Sequence, residues 1–123
     1  MSWDLSSDRP IYAQLIEQIE LKICAGIYPS GSKMPSVRDL AQEAAVNPNT
    51  MQRALSGLED AGLLYTQRTS GRFVTEDVDM IKQTRTKLAK EQIEVFLKKM
   101  SELGFKHEEI VEILSSLSGG NEK

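Results

Sequence analysis

The chain has 123 residues, with 15 Lys and Arg against 18 Asp and Glu, a formal net charge of -3 and a 40% hydrophobic content. That length suits one domain with a short appendage, and the chain is too apolar and too weakly charged to be disordered. No run of about 18 apolar residues can span a membrane, the polar opening MSWDLSSDRP lacks a secretory core, and the lone Cys24 makes no internal disulfide, so a reducing cytoplasm is expected.

Residues 1–9 read as an arm. From Pro10, the apolar positions Tyr12, Leu15, Ile16, Ile19 and Ile23 recur at helical spacing. Asp8 or Ser7 is the candidate cap of this helix, and Gly26 its terminator. The stretch YPSGSKMP is a loop by composition. Ser36 then opens a second helix: its hydroxyl can accept from the N–H near Asp39 while the Asp39 carboxylate reaches back, a capping box with a shorter acid. Val37, Leu40, Ala41 and Ala44 form its apolar face. Asn47 is a good cap and Pro48 a good first residue for a third helix, whose buried stripe is Met51, Ala54, Leu55 and Leu58, ending at Gly62. Two short helices joined this closely have helix-turn-helix geometry.

Two β-prone runs, from Leu63 to Gln67 and from Arg72 to Thr75, flank Arg68-Thr69-Ser70-Gly71 and read as a hairpin. Asp79 opens a long helical pattern that becomes amphipathic at Ile93, Phe96, Leu97, Met100 and Leu103. Gly104 breaks it, and Ile110, Ile113, Leu114 and Leu117 mark a last helix. The fold class is mainly α with a small β-hairpin: a winged helix-turn-helix over residues 10–77, a two-helix dimerisation tail over 78–118 and a disordered end over 119–123.

The third helix carries the chemistry. With its apolar stripe turned inward, Asn49, Thr50, Gln52 and Arg53 remain on the exposed N-terminal surface. Asn and Gln can bond adenine edges in two places, Arg can fork onto guanine or phosphate, and Thr can meet phosphate or a thymine methyl. A recognition helix enters the major groove by this end. Ser36 and Arg38, at the start of the second helix, lie alongside, where Arg38 can hold a backbone phosphate. Arg68, Thr69, Ser70, Gly71 and Arg72 sit at the hairpin tip, where a wing reaches the minor groove or flanking phosphates. Each of these residues alone suits an ordinary solvated surface, but their joint occurrence on three consecutive elements points to DNA. Global charge does not oppose this, because the first 32 residues are acidic while Lys33, Arg38, Arg53, Arg68 and Arg72 lie near turns and helix starts.

Residues 35–74, PSVRDLAQEAAVNPNTMQRALSGLEDAGLLYTQRTSGRFV, resemble the GntR family of bacterial winged-helix repressors. The matching pieces are Pro35 to Ala41, Val46 to Thr50, Arg53-Ala54-Leu55, Leu58-Glu59, Gly62-Leu63-Leu64 and Gly71 to Val74. Upstream, Pro10-Ile11-Tyr12-x-Gln14-Leu15 and Gly26-Ile27-Tyr28-x-x-Gly31 also fit. The resemblance implies DNA contacts at Arg38, Asn49, Thr50, Arg53 and Gly71. Family members typically carry a large effector domain, whereas the short helical tail here is similar to the YtrA-like branch, whose tail mainly makes a dimer. Pro48 and Gln52 stand where many members have Arg, which implies modest affinity from one domain and reliance on dimerisation.

The tail fits that role physically. The stripes of Ile93, Phe96, Leu97, Met100, Leu103, Ile110, Ile113, Leu114 and Leu117 exceed what two antiparallel helices can cover on each other, and a twofold mate would hide the remainder. The alternative is that they fold back on the chain's own domain. A dimer would set two recognition helices about 34 Å apart, or a multiple of that, on a palindrome.

Catalysis and metals find little support. His107, the only histidine, is a solvated helix-start residue beside Glu108 and Glu109, and Cys24 reads as half-buried packing. The helix over Ile81–Leu88 has mixed charge, not the basic face of a membrane binder. The sequence therefore points to a cytoplasmic bacterial, homodimeric, sequence-specific DNA-binding regulator, expected to be a repressor, acting on a palindromic operator and not an enzyme. No cofactor is evident. The YtrA-like resemblance implies transporter genes as targets and allows a small effector that no residue identifies. The competing reading is a winged-helix module that binds another protein.

Overall fold

The computed structural model describes the backbone of residues 3–121 and the side chains of residues 3–118. Along the described chain run helices α1 (Ile11–Cys24), α2 (Val37–Ala44) and α3 (Pro48–Asp60), strands β1 (Leu64–Gln67) and β2 (Gly71–Val74), and helices α4 (Val78–Glu102) and α5 (His107–Asn121). This is the mostly helical winged helix-turn-helix expected from the sequence. The chain divides within α4 into two compact units, Met1–Arg85 and Thr86–Lys123.

In the first unit α3 packs against α1, α2 and β1. Its Met51, Ala54, Leu55 and Leu58 meet Leu15, Ile19 and Ile23 of α1, Leu40, Ala41 and Ala44 of α2, and Met34, Leu63, Leu64 and Val74, all buried in one cluster. The 3.6-residue periodicity of each stripe places these side chains on one face, and their removal from water is the main stabilising term.

Two polar residues share that interior. Gln14 and Lys22 are buried on α1. Neither Ser7 nor Asp8 caps α1; Pro10 holds the N-cap position with no side-chain bond. Gln14 secures the approach instead, accepting from Ser6 N–H at 2.8 Å and donating to the carbonyls of Ser6 at 2.8 Å and Arg9 at 2.9 Å. The arm is thereby laid along α1. Asp4 N–H donates to Gln18, Trp3 Nε1 donates to Glu43 at 3.1 Å, and the Lys22 ammonium sits 3.4 Å from the centre of the Trp3 ring. Desolvation in this setting lowers the pKa of Lys22.

The loop read from YPSGSKMP also does more than connect. Ser32 O accepts from Val74 N–H at 2.9 Å and Met34 N–H donates to Arg72 O at 2.8 Å, with a bridge between Lys33 and Phe73. The segment thus lines up beside β2 as a rudimentary third strand. Beyond the hairpin α4 opens at Val78, one residue before Asp79, and Asp77 caps it: its carboxylate accepts from Met80 N–H at 3.1 Å.

In the second unit Gly104, at φ +96°, turns the chain between α4 and α5, and Glu109 accepts from Lys106 N–H at 2.9 Å to cap α5. Ile110 is buried, and Leu97 and Met100 are half-buried. Of the segment 119–123 expected to be disordered, the backbone of 119–121 continues α5, and 122–123 lie outside the described residues.

Candidate nucleic-acid interface

The helix-turn-helix is built by two caps and one left-handed residue. Ser36 Oγ accepts from Asp39 N–H at 3.0 Å and starts α2. The reciprocal bond from Ser36 N–H to the Asp39 carboxylate is not made, because aspartate is one methylene shorter than the usual glutamate. Ala45 ends α2 at φ 59° and ψ 47°, a left-handed conformation that lets Val46 N–H return to Ala41 O at 2.9 Å. Asn47 Oδ1 then accepts from Asn49 N–H at 2.7 Å, and Pro48 occupies the first turn of α3. Each end of the turn is thus satisfied locally, and α3 leaves α2 in a fixed direction.

The outward face of α3 presents Asn49, Gln52 and Arg53 as exposed side chains and Thr50 as half-buried. Gln52 Nε2 donates to Ser56 Oγ at 3.1 Å, which leaves its amide oxygen to accept. The Arg53 guanidinium lies 3.6 Å from the centre of the Tyr12 ring of α1. Ser36 and Arg38 are exposed at the start of α2.

The wing is a short antiparallel ribbon in which Leu64 faces Val74 and Gln67 faces Gly71. Ser70 N–H closes its turn on Gln67 O at 3.1 Å. Arg68, Thr69, Ser70 and Gly71 are exposed at the tip. Gly71 holds φ +107°, a backbone conformation that side-chain-bearing residues rarely adopt, and a Cβ there would meet only the flexible end of the Lys33 side chain, at 3.2 Å, so it is the backbone that asks for glycine.

Arg72, expected among the exposed tip residues, is instead half-buried on β2, opposite Thr66 and one pair in from the turn. Its Nη2 lies 3.4 Å from Glu59 Oε1 of α3, and the same carboxylate accepts from the Thr66 hydroxyl. Its Nε is buried without a partner. In the folded ribbon Arg72 shares a face with the buried Val74, two residues on, and so its side chain lies against α3 and not toward solvent.

Lys33, Ser36, Asp39, Ser70, Gly71 and Arg72 line a cleft of about 600 Å³ where the wing meets the start of α2. The structure therefore brings Ser36, Ser70 and Gly71 together, and adds Lys33, which composition counted only as charge in a loop. Tyr12 was likewise visible in the sequence, but only as part of an apolar stripe.

On the tail, Ile93, Phe96, Leu103, Ile113, Leu114 and Leu117 are exposed, with Leu103 at 72% and Leu117 at 62% of their full accessible surface. Among the described residues no group of His, Cys, Asp and Glu could hold a metal ion, and no helix is long and apolar enough to cross a membrane. Cys24 is half-buried, and burial raises its thiol pKa.

Comparison with known proteins supplies the family. Residues 11–74 match the model of "Bacterial regulatory proteins, gntR family". The chain is 37% identical over 120 residues to an uncharacterized HTH-type transcriptional regulator, YhcF, of Bacillus subtilis, covering 98% of this chain and 99% of that one. It is 34% identical over 122 residues to the HTH-type transcriptional repressor YtrA of the same organism, covering 95% and 94%. Among solved structures, a GntR family transcriptional regulator from Listeria monocytogenes superposes with a TM-score of 0.84 at 38% identity, covering 91% of this chain and 98% of that one. The DNA-binding domain of AraR, solved in complex with operator ORE1, superposes with a TM-score of 0.53 at 32% identity over 61% of this chain and 94% of that one. Motif, fold and comparison agree: the chain belongs to the gntR family of bacterial regulatory proteins.

Proposed function

We propose that the protein is a transcriptional repressor that binds a palindromic operator as a homodimer in the cytoplasm. The observation that carries this reading is the exposed N-terminal face of α3, where Asn49, Gln52 and Arg53 project together from a helix whose opposite face is wholly buried. Those side chains suit base edges in a major groove, with Thr50 beside them for phosphate or a thymine methyl. Ser36 and Arg38 lie at the start of α2 and Arg68, Thr69, Ser70 and Gly71 at the wing tip, positions suited to phosphates on either side. Arg72 contributes by tying the wing to Glu59.

Support for DNA as the partner comes from family membership and from AraR, whose related domain was solved on an operator. Support for repression comes from YtrA, which matches along nearly the whole chain. Control of transporter genes follows only from likeness to the YtrA-like branch. The homodimer rests on the apolar tail: exposed Ile93, Phe96, Leu103, Ile113, Leu114 and Leu117 exceed what a soluble monomer usually displays, and a second copy would cover them together with the edges of Leu97, Met100 and Ile110.

Selection from a pool of random duplexes, with the mass of the free protein measured in parallel, tests the proposal. The expected result is an enriched inverted repeat with half-sites one helical turn or a multiple apart, and a dimeric mass. Recovery of no shared sequence, or a single unrepeated half-site bound by a monomer, would overturn it. Binding to another protein, in place of any duplex, would favour the competing interaction-module reading.

A further inference from the structure

Among the arginines of the first unit, Arg53 is held in an unusual way. Its guanidinium lies over the ring of Tyr12 at 3.6 Å, and neither ion pair among the described residues includes it. Arg72 is tied to a carboxylate and Arg9 to Glu17, whereas Arg53 is held by an aromatic face alone. That difference matters because all five guanidinium N–H donors point outward in the plane of the group. A ring stacked on the flat face restricts the side chain but occupies none of those donors. Tyr12 belongs to α1, which packs along α3 through Leu15 and Ile19, so the ring stands on the rigid core and not on a loop.

The geometry points to Tyr12 as a positioning residue for DNA recognition: its ring holds the Arg53 guanidinium by its flat face, with its N–H donors left for DNA, before DNA arrives. This inference rests on the proposal that α3 reads an operator. Ordering a long arginine on binding normally opposes affinity, and a side chain already fixed in its working orientation avoids much of that loss. A single stacked cation of this kind translates to about a three- to tenfold change in affinity.

The test is a double-mutant cycle on the full chain, using the duplex most enriched in the random selection. Tyr12→Leu removes the ring, Tyr12→Phe and Tyr12→Trp keep an aromatic face, and Arg53→Ala removes the cation. Thermal unfolding of each variant confirms that it is folded. Tyr12→Leu is expected to weaken binding about three- to tenfold, with the Phe and Trp variants within about twofold of the parent. In the Arg53→Ala background, Tyr12→Leu is expected to have no further effect, because its role passes through the guanidinium. A loss of the same size in both backgrounds would overturn the inference, as would a Phe variant as weak as the Leu variant, since the hydroxyl would then be acting on its own. If Arg53→Ala itself binds as the parent does, the reading of α3 fails, which is a distinct result from additivity.

Discussion

Ala45 shows how one residue can carry a motif at a local cost. An alanine at φ 59° suffers a clash between Cβ and its own carbonyl that glycine would not, worth about 1–2 kcal/mol, partly offset by the greater freedom of an unfolded glycine. Ala45→Gly is therefore expected to raise stability by ~0.5–1 kcal/mol in urea unfolding; a loss would mean the methyl has a packing role not evident in its exposed position. Cys24 offers a second check at this scale. Burial raises its thiol pKa, so at neutral pH it should alkylate with iodoacetamide more slowly than free cysteine, and faster as pH rises. Sequence reasoning recovered such residues unevenly. The caps Ser36 and Asn47 and the half-buried Cys24 were legible because their signals are local. Gln14 and Lys22 were not, since a polar side chain on a buried helical face finds its reason only in the arm it holds or the ring it meets.

At the scale of elements, the helices were legible in order and nearly in length, because each stripe repeats at 3.6 residues and each junction has its own breaker or cap. The segment Ser32–Met34 was not, because Pro29, Gly31 and Pro35 signal a loop while its pairing with β2 depends on distant backbone. The placement of Arg72 was hidden for the same reason: only the folded ribbon shows that it faces Glu59 and not solvent. Glu59 is thus expected to steady the wing. Glu59→Ala would strand a half-buried guanidinium and release Thr66, costing about 1–2 kcal/mol and speeding amide exchange in β1 and β2 more than in α1. Uniform acceleration across the first unit would contradict a local role.

For the whole molecule, the proposed function divides the labour between the two units: the first would offer the reading surface, and the second an apolar face for a twin. Sequence periodicity exposed both faces but could not count what each leaves uncovered, which depends on how α4 and α5 lie together. Replacing Phe96 and Leu114 with Asp would put charge into the covered face of a dimer. The double variant should become monomeric at micromolar concentration in light scattering and lose most of its operator affinity, while the first unit stays folded. A variant that remains dimeric would move the interface elsewhere.

The most direct measurement is operator affinity as a function of salt. Neutralising phosphates releases counterions, so log affinity should fall linearly with log KCl, with a slope of about -0.9 for each phosphate contacted. Replacing Arg38 with Ala should make that slope shallower by about one per site it occupies, while a duplex of scrambled sequence binds more weakly to parent and variant alike. A parent affinity that barely responds to salt, or one that is equal for operator and scrambled duplex, would contradict the account.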